Sequence, residues 1–132
     1  MKTVLFVCVH NSGRSQMAEA LFNQMAKGKA RAHSAGTQPV DKVNSVVVQA
    51  MKEKGIDISR NKPKMLTMDM VEKAERIITM GCGAEAEAVC LASFIDTEDW
   101  ALEDPAGKSL DQIRKIRDEI KERVIRLVEE LS

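Results

Sequence analysis

A chain of 132 residues, 44% hydrophobic and 30% charged, is long enough for one domain with a proper core and is neither fibrous nor disordered in composition. Its 20 basic side chains balance 20 acidic ones, so charge gives no reason to expect a nucleic acid or an anionic membrane as partner. The N-terminal apolar run, residues 4–9, is too short for a signal-peptide core and no stretch could span a bilayer, so a cytoplasmic protein with a single domain, 1–132, is expected.

Residues 3–7 are apolar after the threonine, the pattern of a central parallel strand buried on both faces. A loop from Cys8 to Ser15 follows. Residues 15–27 place Ala18, Leu21, Phe22 and Met25 at helical spacing, and Gly28 ends that helix. Residues 30–35 are short and mixed, a strand nearer the sheet edge; 36–40 is a loop with a proline. Val43, Val46, Val47, Ala50 and Met51 predict a helix over 43–54, with Gly55 as its stop, and 57–66, with Pro63, is loop. Thr67 can cap a short helix reaching residue 73, and Asp69 and Glu72 suit its first turns. Residues 76–80 form the next buried strand, 81–92 carry Cys82 and Cys90, 93–96 read as a fourth strand, and 100–108 as a loop. Leu110, Ile113, Ile116, Ile120, Val124, Leu127, Val128 and Leu131 give a long amphipathic final helix. Strands alternating with helices imply a parallel α/β sheet covered on both faces.

The chemistry concentrates in Cys8-Val9-His10-Asn11-Ser12-Gly13-Arg14-Ser15, between the first strand and the first helix. Main-chain N–H groups of Val9 to Ser15 can ring an oxyanion, and the helix N-terminus adds partial positive charge. Arg14 can grip two oxygens of a tetrahedral oxyanion in a bidentate fork. The thiolate is the nucleophilic form of cysteine, and it is the form that such a ring stabilises, so Cys8 reads as a nucleophile aimed at the centre of the bound anion. Ser15 can place its hydroxyl on that thiolate and also cap the helix, Gly13 permits a turn that a Cβ would block, and Asn11 bonds the loop backbone. The side chain of His10, although inside the loop, is expected to point away from the anion. Three cysteines, an odd number, argue against a structural disulfide framework, and separations of 74 and 8 residues do not make a zinc site.

The stretch from Cys8 to Ser15 resembles the phosphate-binding loop of the low-molecular-weight protein tyrosine phosphatase fold, which thioredoxin-coupled arsenate reductases share. Gln16-Met17-Ala18-Glu19-Ala20 is similar to the reductase branch; the phosphatases usually have proline at the position of Gln16. The resemblance extends through Ser34-Ala35-Gly36-Thr37, Thr79-Met80-Gly81-Cys82 and residues 100–108. With right-handed crossovers it implies a single doubly wound four-stranded parallel sheet in the order 2-1-3-4, with helices on both faces. In that order the strands leading to Cys8 and Cys82 are neighbours, and the crevice beside them is where open α/β sheets bind ligands.

The resemblance gives Asp104, followed by Pro105, the role of proton donor to the leaving oxygen; the plain alternative is a turn aspartate before proline. The phosphatases place aromatic residues after that Asp-Pro, whereas here Ala106-Gly107 follows, the chain has no tyrosine, and Trp100 is its only tryptophan. A small oxyanion suits such a site: arsenate, with phosphate or sulfate as mimics. In the reductase reading Cys8 attacks arsenic, Cys82 attacks Cys8, Cys90 attacks Cys82, and thioredoxin or another thiol reduces the final disulfide. Cys90 is either this shuttle or a buried core thiol. The segment between Cys82 and Cys90 favours helix, which would hold them about 12 Å apart along the axis, beyond the roughly 7 Å that a disulfide tolerates. It is therefore looped or unwinds on oxidation. No cofactor is required, although Asn11, Glu19 and Ser34 match positions that hold a potassium ion in some reductases of the family; as bare residues Glu19 and Ser34 are a helix-surface carboxylate and a strand-end hydroxyl. A phosphatase acting on phosphotyrosine or small phosphomonoesters is the alternative, needing only Cys8, Arg14, Ser15 and Asp104.

Overall fold

The computed structural model describes residues 2–80 and 98–131. Four strands form one sheet, β1 (Lys2–Cys8), β2 (Ala30–Gly36), β3 (Arg76–Thr79) and β4 (Glu98–Asp99). Their order is β2-β1-β3-β4 and every neighbouring pair is parallel, as alternation and the family resemblance led us to expect. Among the described residues four helices accompany them: α1 (Arg14–Ala26), α2 (Ser45–Lys52), α3 (Met68–Lys73) and α4 (Leu110–Leu131).

The continuous apolar run of β1 serves two faces at once. Val4, Phe6 and Cys8 point into the main core with Leu21 and Phe22 of α1, Met51 of α2 and Ile113 and Ile120 of α4. Leu5 and Val7 point the other way, against Val71 of α3. Phe6 is wholly buried, edge-on to Phe22 and 5.5 Å from the Trp100 ring. Burying one such side chain contributes about 1.5–3 kcal/mol, so the strand carrying the loop is firmly held by the core.

Capping explains where the helices depart from the apolar pattern. The α2 pattern begins at Val43, but the helix starts at Ser45 because the Asn44 side chain accepts from Val46 N–H (2.9 Å) and Val47 N–H (3.3 Å). Thr67 caps α3 as expected, accepting from Met70 N–H. The expectation that Ser15 caps α1 does not hold. The N-cap is Gly13, no side chain caps the helix, and Ser15 is already helical with its hydroxyl engaged elsewhere. The C-terminal end of α1 matches its stop signal, since Lys27 and Gly28 both turn left-handed (φ 49° and 84°). Met80 falls just beyond β3, although its N–H still bonds Val7 O. The expected strand at 93–96, Cys82 and Cys90 lie outside the described residues.

Candidate active site

The loop after β1 closes over its own cysteine. Cys8 Sγ accepts the Asn11 N–H at 3.1 Å and stands 2.8 Å from Ser15 Oγ. Asn11 Nδ2 donates to the same Ser15 Oγ at 2.7 Å, which leaves the serine's own hydrogen free to point at sulfur. In that orientation sulfur accepts from both a main-chain N–H and a hydroxyl. Cys8 is 4% exposed.

The loop N–H groups turn inward because four of its carbonyls are claimed from outside. Thr37 N–H donates to Cys8 O, Gln38 N–H to Val9 O, Val40 N–H to His10 O and Asn44 N–H to Ser12 O, at 2.8–3.3 Å. The C=O and N–H of a trans peptide point in opposite directions. Fixing those four carbonyls outward therefore directs the N–H groups of Val9, His10, Asn11 and Gly13 inward, an anion-binding concavity. Residues 37–44, read from the sequence mainly as connection, are the clamp that makes this shape. Gly36 is what lets the clamp approach: a Cβ there would stand 2.6 Å from Val9 O and 3.0 Å from Asn11 N.

Asn11 is the keystone of the loop. It sits in the left-handed region (φ 52°), which asparagine tolerates better than most residues. It is wholly buried. Its Oδ1 accepts from Lys64 N–H at 2.8 Å and from Gln16 Nε2 at 3.0 Å. Gln16 is itself fully buried, and its Oε1 accepts from Asn61 Nδ2. The sequence offered Gln16 only as a mark of the reductase branch; its work is to join the active loop to residues 61–64. A polar side chain at a core-facing helix position was the available signal.

Arg14 opens α1 and is buried. Its Nη1 donates to Met80 O (2.7 Å) and Leu102 O (3.0 Å), which fixes the plane of the guanidinium. Ala101, next to Leu102, is left-handed (φ 49°), a strained state for alanine that turns this carbonyl toward Arg14. Asp104 is exposed, and its Oδ1 accepts from Ala106 N–H, a local turn. Pro105 is buried directly against the loop: a Cβ on Gly13 would come within 2.5 Å of Pro105 Cγ. Gly13 has φ −145°, so its glycine is required by this close approach and not by the turn the sequence suggested. The same contact holds Pro105, the residue after Asp104, beside the loop. His10 is exposed, as expected, and Ser12 is partly buried.

Residues 3–132 match the family described as low molecular weight phosphotyrosine protein phosphatase. The chain belongs to that family. Among its relatives, arsenate reductase 1 of Staphylococcus epidermidis is 37% identical across 91% of this chain and 90% of its own length. A solved structure of an arsenate reductase in the phosphate-binding state superposes with a TM-score of 0.85 at 37% identity, covering all of both chains. A thioredoxin-dependent arsenate reductase of Corynebacterium glutamicum gives a TM-score of 0.80 at 36% identity, over 99% of this chain and 62% of that one. Within this phosphatase family the present site lacks aromatic walls among the described residues: Phe6, Phe22 and Trp100 are all in the core. Among the described residues, too, no helix is long and apolar enough to cross a membrane, and no cluster of three or more His, Cys, Asp and Glu side chains could hold a metal ion.

Proposed function

We infer that this protein is an arsenate reductase that uses Cys8 as its nucleophile and a thiol relay for the electrons. The observation that carries the reading is the Cys8 cradle: sulfur held by the Asn11 N–H and Ser15 hydroxyl, ringed by inward N–H groups and Arg14, with no described aromatic ring to receive an aryl group. Relatives that are named arsenate reductases over nearly the whole chain support it.

In this mechanism the oxyanion sits on the loop N–H groups with Arg14 on two of its oxygens. Cys8 sulfur attacks arsenic and an As–O bond breaks, with Asp104 giving a proton to the departing oxygen. Cys82 then attacks Cys8 sulfur. An S–S bond forms, the S–As bond breaks with its electron pair on arsenic, and arsenite leaves. Cys90 attacks Cys82 sulfur, which releases Cys8 as thiolate and leaves a Cys82–Cys90 disulfide. A thioredoxin-like dithiol reduces that bond and returns two thiols. Support for Cys82 comes from topology: Val7 pairs with Thr79, and Met80, two residues before Cys82, bonds both Val7 and Arg14.

The test is arsenate turnover with thioredoxin, thioredoxin reductase and NADPH, beside hydrolysis of an aryl phosphate. The wild type should oxidise NADPH in response to arsenate. Cys8→Ser should be inert, and Cys82→Ser and Cys90→Ser should stall after at most one reduction. Sustained turnover by Cys90→Ser would make Cys90 a core thiol. Aryl phosphate hydrolysis without arsenate reduction would assign the site to a phosphatase.

A further inference from the structure

The three residues that family resemblance links to a potassium ion do not, as they stand here, form a vacancy for one. Asn11 Oδ1 already accepts two N–H donors, from Lys64 and Gln16. The Glu19 carboxylate, largely buried at 13% side-chain exposure, pairs with Lys64 Nζ at 3.3 Å. Only Ser34 Oγ, fully buried, has no hydrogen-bond partner. Ser34 is aligned with Phe6, whose ring faces α1, so its hydroxyl lies on the sheet face that carries Glu19. Oxygen ligands are thus present, but the charge they would attract is supplied from within the chain.

We propose that the Lys64 ammonium is a built-in monovalent cation, taking the place of a bound alkali ion behind the active loop. Lys64 is placed for this by its own backbone: its N–H bonds Asn11 Oδ1 and its C=O accepts from Gly36 N–H at 2.8 Å. One residue therefore neutralises Glu19, holds the left-handed Asn11 and ties both to the end of β2. A hydrated ion would do the first two of these only while bound. The loop around Cys8 is then set without regard to the potassium concentration, whichever oxyanion it receives. Removing the ammonium would leave Glu19 unneutralised on the same sheet face as the unpartnered Ser34 hydroxyl, a region of oxygen donors and negative charge that an alkali cation can enter.

The experiment compares the full chain in potassium chloride and in choline chloride at equal ionic strength, reading the melting temperature and the rate at which iodoacetamide labels Cys8, followed by peptide mass spectrometry. The wild type and Lys64→Arg should be the same in both salts by both measures. Lys64→Met should melt lower than the wild type in choline chloride and recover by about 2 °C or more in potassium chloride, with its Cys8 labelling rate moving back toward the wild-type value. A potassium response in the wild type would overturn the proposal. So would a Lys64→Met protein that is indifferent to potassium, or one that matches the wild type in choline chloride. Should Lys64→Met fail to fold, the wild-type and Lys64→Arg arms still decide, because salt sensitivity in either contradicts a built-in cation.

Discussion

Asn11 shows how much of the site can rest on one side chain. Alanine there would meet the left-handed backbone penalty and lose the bonds to Ser15, Gln16 and Lys64. Asn11→Ala should cost about 2–4 kcal/mol by denaturant unfolding. Asn11→Gly keeps the backbone state and loses only the amide, so it should retain more stability than Asn11→Ala while arsenate turnover falls in both. Equal stability in the two variants would show that the backbone conformation carries no cost. Gly13→Ala tests the join between the loop and the proposed acid, Asp104. A Cβ 2.5 Å from Pro105 Cγ cannot be absorbed by a flexible chain end, so Pro105 and Asp104 must shift away from the loop. The expected result is a loss of about tenfold or more in kcat/KM, larger than any change in binding of phosphate as an inhibitor. That Cys8, Arg14 and Ser15 share one loop was legible in the sequence, because their spacing places them between the first strand and the first helix. Lys64 was not, because its partners Asn11 and Glu19 lie 53 and 45 residues away, and the reach of Gln16 to Asn61, 45 residues on, was not either, although a polar side chain on a core-facing helix position marked it. Ser15 carried two roles in the sequence and has one in the structure, because it lies inside α1 and not at its N-cap, and there its hydroxyl meets Cys8 and Asn11.

Between elements, the clearest link outside the core is the latch of α2 onto α4. Glu53, just past α2, accepts from Arg114 and Arg117 of α4, and the nearly buried Arg117 also donates to Ala50 O. Hydrogen bonds from Arg114, then from Arg117, lower the Glu53 pKa from 4.5 to about 2. A carboxylate depressed in the folded state adds stability that is fully present above its unfolded pKa and is lost as pH falls through the folded value. The stability difference between the wild type and Glu53→Gln should therefore be constant near neutrality and shrink as pH falls from 4.5 toward about 2. A difference that stays flat across that window would show that the latch does not depend on the charge. Apolar periodicity located α2 and α4 well, since it reports the buried face directly. It misplaced the start of α2 by two residues because periodicity does not see a capping asparagine.

At the scale of the molecule, sheet order does the assembling. Placing β3 beside β1 brings Met80 to the mouth of a loop 66 residues earlier in the chain, and β2 on the other side delivers the 37–44 segment that turns the loop carbonyls outward. The order was readable because strand–helix alternation and a family likeness over the whole chain agree, and a right-handed parallel sheet leaves few alternatives. The carbonyl clamp was not readable, because main-chain hydrogen bonds between distant segments leave little trace in side-chain identity beyond a glycine such as Gly36. In the proposed reaction bound arsenate takes its two electrons from the chain's own thiols. The decisive measurement mixes fully reduced protein with arsenate in the absence of any other reductant and counts products. About one arsenite should form and about two thiols should be lost per chain, with neither in Cys8→Ser. Arsenite without thiol loss, or thiol loss without arsenite, would contradict it.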